Sequence, residues 1–296
     1  MAPGRRACDI STRAIVLSAV SAMCLPLAAL SAQSLPRQSL AARPPAVAAT
    51  YPIATIPIAA TLPAATPGGY HYLTLGLRRA DGLKLGGLAA AALLAATADR
   101  RADAWARHPG VQNNATLDAL STVGDKSGSV VAVGVGPALW LLGRARGDSG
   151  TAVLGLRTTE AVVLGGVTVT AIKIIAGRTR PFASADHSPT HWDLFGGLRS
   201  DSAKSFASGH TTTATAAAVM LAAEWRRQGL RGWQTLGPPS VYALAAITAG
   251  SRVRDRQHWM SDVVSGAAVG MLSALVVRRW HDAHPSNWID RAFLKH

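Results

Sequence analysis

An all-helical bundle of about six core helices, embedded in a membrane or associated with one, is the fold the sequence predicts. The first reason is composition: 49% of the 296 residues are hydrophobic, only 16% are charged and 5% are aromatic. An average soluble domain carries about 25% charge, so much apolar surface here needs burial. The second reason is that from about Tyr70 onward six apolar stretches recur, at 85–98, 129–143, 161–172, 207–223, 237–250 and 263–277. Their 12 to 17 residues suit helices, and they fall between a core helix and a confident membrane span, which wants about 18 or more. The third reason is charge placement. If alternate loops face the cytoplasm, 144–146, 226–231 and the tail from Arg278 lie there, and all three are rich in arginine. Arg100 and Arg101, after the first stretch, fall on the opposite side and fit that rule less well.

Two segments precede the bundle. Arg5, Arg6 and Arg13 form a basic start, residues 14–30 are an apolar run, and Ala29, Ser31 and Ala32 offer small residues for cleavage. Residues 1–32 are therefore expected to be a signal peptide, with an uncleaved anchor as the alternative. Cys8 and Cys24, the only cysteines, would leave with it, which excludes a disulfide scaffold. Residues 33–69 hold seven prolines and read as an extended linker, leaving 70–296 as the folded domain. A basic chain (formal charge +14) exported without cysteines points to a bacterial cell envelope. Nucleic acid is not the expected partner, because the cations are scattered over helix ends and loops with no aromatic interleaving.

Three short segments interrupt apolar helices with charge. In 173–181 (KIIAGRTRP), Lys173 falls on the last turns of a helix and Arg180 just beyond, before Pro181, which is expected to end it. Two such cations could hold a phosphate dianion, Arg180 as a fork and Lys173 as a point charge, or could simply snorkel at a membrane surface. In 205–211 (SFASGHT), Ser208, Gly209 and His210 precede a threonine-rich helix expected near Thr211. A helix start receives anions, Gly209 allows close approach and His210 could donate a proton; a plain N-cap followed by a surface histidine is the alternative. In 251–262 (SRVRDRQHWMSD), Arg252 adds a cation, and His258 and Asp262 stand four apart. A helix beginning at His258 would put both on one face, where the carboxylate could fix the imidazole tautomer and leave the other nitrogen to attack. A local helix pair with no catalytic role has the same spacing.

Taken together and in order, these segments resemble the three signature motifs of the type 2 phosphatidic acid phosphatase superfamily, which includes bacterial non-specific acid phosphatases and vanadium haloperoxidases. The pattern is Lys, six residues, Arg-Pro; then Pro-Ser-Gly-His; then Ser-Arg, five residues, His, three residues, Asp. The first and third match at every fixed position, and Ala207 stands where the second usually has proline. The resemblance covers roughly residues 80–280. It implies a metal-independent phosphohydrolase without a cofactor. His258 would be the nucleophile forming a phosphohistidine, with Asp262 holding its ring. His210 would be the acid on the leaving oxygen. Lys173, Arg180, Arg252, Ser208 and the Gly209 amide would bind the phosphoryl oxygens. Ala207 removes no catalytic atom, so activity is expected to survive it.

The three motifs fall on the side of the bundle opposite the arginine-rich loops, so the site would face the periplasm. The loop 182–204 between the first two motifs carries Asp186, His187, His191, Trp192 and Asp193. A metal on His187 and His191 is disfavoured, because histidine pairs in polar loops usually bind nothing. A cap over the substrate, with Trp192 and Phe195 at the lipid interface, is the preferred reading. No Gly-x-Ser-x-Gly elbow, His-Glu-x-x-His helix or phosphate-binding P-loop occurs. The expected function is hydrolysis of a phosphomonoester or diphosphate of a lipid, such as phosphatidic acid or a polyprenyl diphosphate. The rival readings are a soluble periplasmic acid phosphatase, a vanadate haloperoxidase and a non-catalytic lipid-binding membrane protein.

Overall fold

Nine α-helices form among the described residues of the computed structural model, 79–229 and 235–294, and no strands do. The expected signal peptide and linker lie outside these residues. The helices are α1 (Arg79–Arg107), α2 (Pro109–Gln112), α3 (Ala115–Lys126), α4 (Ala132–Arg146), α5 (Ser149–Ala176), α6 (Gly209–Arg227), α7 (Gly237–Arg254), α8 (Met260–Ala283) and α9 (Trp288–Leu294). Each of the six apolar stretches falls wholly or mainly in one of the six long helices α1 and α4–α8; 129–143 begins in the turn before α4 and 207–223 two residues before α6. A π-helical turn, Ser127–Val131, joins α3 to α4, making one rod from Ala115 to Arg146. α3 and α9 went unmarked in the sequence because both are short and half polar.

Three helices are long and apolar enough to cross a membrane: Ala115–Arg146, Ser149–Ala176 and Met260–Ala283. The uncharged stretches underestimated them because each span tolerates a charge or two near its end. α6 sits at the centre, packed on α5, α7 and α8. Its sequence is dominated by Ala and Thr, and Ala216, Met220, Ala222 and Glu224 are fully buried. The core joins Leu154, Val162, Met220, Leu221, Trp225, Ala274 and Val277. Small residues let the backbones close in. A Cβ on Gly266 of α8 would stand 2.5 Å from the Ser208 carbonyl oxygen, so α8 presses on the first turn of α6 where only glycine fits.

Local chemistry sets the helix ends that matter. Asp148 caps α5 by accepting from the Gly150 and Thr151 amides at 3.0 and 3.3 Å, an arrangement worth about 1 kcal/mol. α5 stops at Gly177, which takes the left-handed conformation (φ 57°) and donates its N–H to Lys173. The expected stop at Pro181 is thus four residues late: a glycine that can turn the chain ends the helix before the proline is reached. The C-terminus of α5, the N-terminus of α6 and the α7–α8 junction meet at one end of the bundle. There Ser208 N–H donates to the Asp262 carbonyl at 3.0 Å, and Phe182 N–H to the Arg256 carbonyl at 3.1 Å. At the other end the α4–α5 turn, the C-terminus of α6 and that of α8 come together. Gln228 donates to the Gly150 carbonyl, Arg157 pairs with Glu224 at 3.0 Å, and His281 meets Glu160 at 2.5 Å.

Candidate active site

The motif end of the bundle gathers every residue singled out in the three segments. Lys173 comes from the last turn of α5, Arg180 from the loop after it and Arg252 from the last turn of α7. Ser208, Gly209 and His210 open α6, one or two residues earlier than expected, because Ser208 is its N-cap. The Lys173 side chain lies along Gly209, whose missing Cβ would stand 3.5 Å from Cε. Ser208 is wholly buried, with its hydroxyl 2.9 Å from that of Thr211.

His258 is 4% exposed. Its Nδ1 lies 2.7 Å from the Ser205 carbonyl oxygen. A carbonyl can only accept, so Nδ1 carries the proton and Nε2 keeps its lone pair. Burial, reinforced by the nearby positive charges of Lys173 and Arg180, pushes the ring down to about 4, against an attraction from Asp262 that acts the other way. His258 is therefore a neutral imidazole at neutral pH.

The geometry departs from the expected His258–Asp262 pair. α8 begins at Met260, so His258 precedes the helix rather than starting it. Asp262 Oδ2 lies 3.8 Å from Nδ1, too far for a hydrogen bond. It accepts instead from Trp259 N–H at 2.9 Å and from the Ser205 hydroxyl at 2.5 Å, while Oδ1 accepts from Arg178 at 2.5 Å. Asp262 thus caps its own helix and pins Ser205, and the Ser205 carbonyl holds the ring.

The cations have donors to spare. Lys173 Nζ donates to the Lys204 carbonyl at 2.7 Å, one of its three N–H groups. Arg180 donates to Gln257 at 2.5 Å, and its Nε is buried without a partner. The Nε atoms of Arg157, Arg254 and Arg278 are unpaired in the same way; that of Arg180 is the one close to Lys173 and Arg252, where it is open to an acceptor. Arg252, buried, is held by Asp125 at 2.9 Å and Asp255 at 3.1 Å. Asp125 also lies 3.4 Å from His210 Nε2, linking the two groups. Partial burial, with Arg252 close by, lowers the pKa of His210 below the ordinary imidazole value.

Sequence reasoning missed a supporting set. Arg178 is buried, donates to Asp99 at 2.8 Å and Ser261 at 2.8 Å as well as to Asp262, and stacks between Trp192 and Trp259 with centroids 4.8 and 5.5 Å away. Asp99 and Asp103 stand one turn apart on α1, and Asp103 holds Arg256 at 2.8 Å. Spacing gave no signal for Arg178, since in extended chain residues two apart share a face and nothing separates it from Arg180. His191 meets Asp186 at 2.9 Å, whereas His187 lies 3.6 Å from Asp103, so the two loop histidines have separate partners.

An all-helical protein with a buried neutral histidine beside unsaturated cations is built to meet an anion. Residues 154–286, spanning all three motifs, match the model of the PAP2 superfamily. A stretch of 81 residues is 43% identical to a lipid A 1-phosphatase of Porphyromonas gingivalis (strain ATCC 33277), covering 26% of this chain and 17% of that protein. No solved structure matches the chain.

Proposed function

We propose that the protein is a phosphatase that hydrolyses the phosphomonoester or diphosphate of a lipid through a phosphohistidine. The observation that carries this reading is the neutral, buried His258 with Nε2 free, set among Lys173, Arg180 and Arg252 with donors left over. The Nε2 lone pair attacks phosphorus, forming the N–P bond as the ester P–O bond breaks. His210 delivers a proton to the departing oxygen. It then takes one from water, which attacks phosphorus, releases phosphate and returns His258 to its starting state. The three cations, with the Gly209 amide and the Ser208 hydroxyl at the positive end of α6, offset charge on the phosphoryl oxygens. The Ser205 carbonyl stabilises the ring as it gains positive charge during attack, and Asp262 does so through space.

Three membrane-capable helices and the similarity to a lipid A 1-phosphatase favour a lipid substrate over a soluble one. The arginine-rich end facing the cytoplasm would turn the site toward the periplasm. The test is phosphate release by purified protein in detergent with EDTA, from phosphatidic acid, a polyprenyl diphosphate, a lipid A 1-phosphate and p-nitrophenyl phosphate. Release that persists in EDTA, vanishes in His258→Ala and is faster with a lipid supports the reading. Preference for p-nitrophenyl phosphate would favour the general acid phosphatase. No release by a folded protein from any of the four would overturn the proposal.

A further inference from the structure

The loop between the first two motifs carries a patch of exposed apolar residues that the phosphate chemistry does not use. Trp192 is 50% exposed, Leu194 66%, Phe195 47% and Leu198 70%. The chain here runs back along the end of α5. Thr179 donates to the His191 carbonyl at 3.0 Å, Asp193 to Gly177 at 3.1 Å and Phe195 to Ile175 at 2.9 Å. Contact with the helix is so close that a Cβ on Gly197 would stand 2.4 Å from the Lys173 carbonyl oxygen. Residues 194–198 therefore lie level with Lys173 and Ile175.

That level is the end of a membrane-capable helix. α5 has 28 residues, roughly 42 Å at 1.5 Å each, against a hydrocarbon core of about 30 Å. Leu164, Val167, Ala171 and Ile175 form one exposed apolar stripe along α5 that runs up to the loop. The loop meets the end of this stripe at Ile175, whose carbonyl accepts from Phe195. Asp193 and Arg199 pair with each other beside the patch, so its charges are mutually neutralised. Trp192 is anchored on Arg178 and meets Phe206 edge to face at 5.3 Å, which leaves its outer edge free. Aromatic and aliphatic groups beside a self-neutralised ion pair suit the headgroup boundary.

We propose that residues 192–198 form a rim immersed in the interfacial layer of the membrane beside the catalytic pocket, and that its partner is the lipid surface itself. Lys173 is then held at headgroup depth, and a lipid brings its phosphate to His258 while its chains stay in the bilayer. The immersion stands on the geometry of α5; the consequence for substrate rests on the lipid phosphatase reading.

The test places a nitroxide label on Leu194→Cys and, separately, Leu198→Cys, in the full chain with Cys8 and Cys24 changed to serine, reconstituted in phosphatidylcholine–phosphatidylglycerol nanodiscs. Oxygen should relax both labels more than a water-soluble nickel chelate does, as for a lipid-facing label at Val167→Cys. A chelate response as strong as at an exposed label on Asp186→Cys would overturn the immersion, and this arm needs no enzyme activity. In parallel, Leu194→Asp/Phe195→Asp/Leu198→Asp should raise the apparent KM for vesicle-embedded phosphatidic acid about tenfold, near 1.4 kcal/mol. Turnover of p-nitrophenyl phosphate should stay within about twofold. An equal loss with both substrates would overturn the role in lipid presentation. Immersed labels on a folded protein that releases phosphate from none of the four substrates named above would leave the rim standing and refute the phosphatase.

Discussion

His258 and Arg178 show how differently two buried ionisable groups are handled. His258 is buried as the neutral form, and its low pKa has two consequences. If His258 attacks and His210 donates a proton as proposed, His258 must be unprotonated and His210, whose pKa is also lowered, must be protonated. The profile of kcat/KM should therefore have its acid limb near pH 4 and an alkaline limb below the ordinary histidine value of about 6.5. A maximum at pH 8 would contradict those assignments. For stability, the unfolded histidine takes up a proton below about 6.5 while the folded one does not until about 4. This contribution is thus fully present above pH 6.5 and declines, by up to about 3 kcal/mol, as pH falls between the two values. Denaturant unfolding of wild type and His258→Ala across that range would show it as a pH slope lost in the variant. Arg178, in contrast, is buried charged between Asp99 and Asp262. Truncating it strands two buried carboxylates, so Arg178→Ala should cost about 3–5 kcal/mol. Unfolding in detergent measures this, and a change under 1 kcal/mol would mean that the pairs contribute little.

Among the helices, α8 and α6 meet through missing side chains. Gly266 sits against the Ser208 carbonyl, and a Cβ on Gly270 would stand 2.3 Å from that of Thr212. That contact brings the second and third motifs within reach of each other, although more than fifty residues of chain separate Ser205 from His258. Gly266→Val should push α8 off the first turn of α6. Overpacking of this kind costs about 1–3 kcal/mol, and kcat should fall at least about tenfold because His258 sits in the turn leading into α8 and His210 on the first turn of α6. Full activity in a folded Gly266→Val protein would show that the two motifs are held together by something else. The order of the long helices was legible as apolar runs, but their lengths and ends were not: Gly177 stops α5 and Trp259 starts the capping turn of α8. Such ends are chosen by backbone turns and caps, which a hydrophobic pattern does not encode.

The whole bundle is polar along its axis, with Lys173, Arg180 and Arg252 at one end and Arg144, Arg146, Arg226 and Arg227 at the other. If the arginine-rich end faces the cytoplasm, a cysteine at Asp186 should react with an impermeant maleimide added to intact spheroplasts, and one at Arg227 should react only after permeabilisation. The reverse pattern would place the site inside the cell. Arg100 and Arg101, which fit the charge rule poorly, lie on α1 next to Asp99 and Asp103, whose partners Arg178 and Arg256 belong to the site. This segment of α1 therefore has a structural reason to be at the motif end whatever its charge.

The all-helical class, the six core helices and the set Lys173, Arg180, Ser208, Gly209, His210, Arg252, His258 and Asp262 could be read from one chain, because apolar period and motif spacing are local properties. The partners of those residues could not. Ser205 orients His258 through its backbone carbonyl, Asp125 joins Arg252 to His210, and Asp99 reaches Arg178 across 79 positions. Such pairings are set by which helix faces pack together, and a carbonyl that any residue would supply leaves no mark in a sequence.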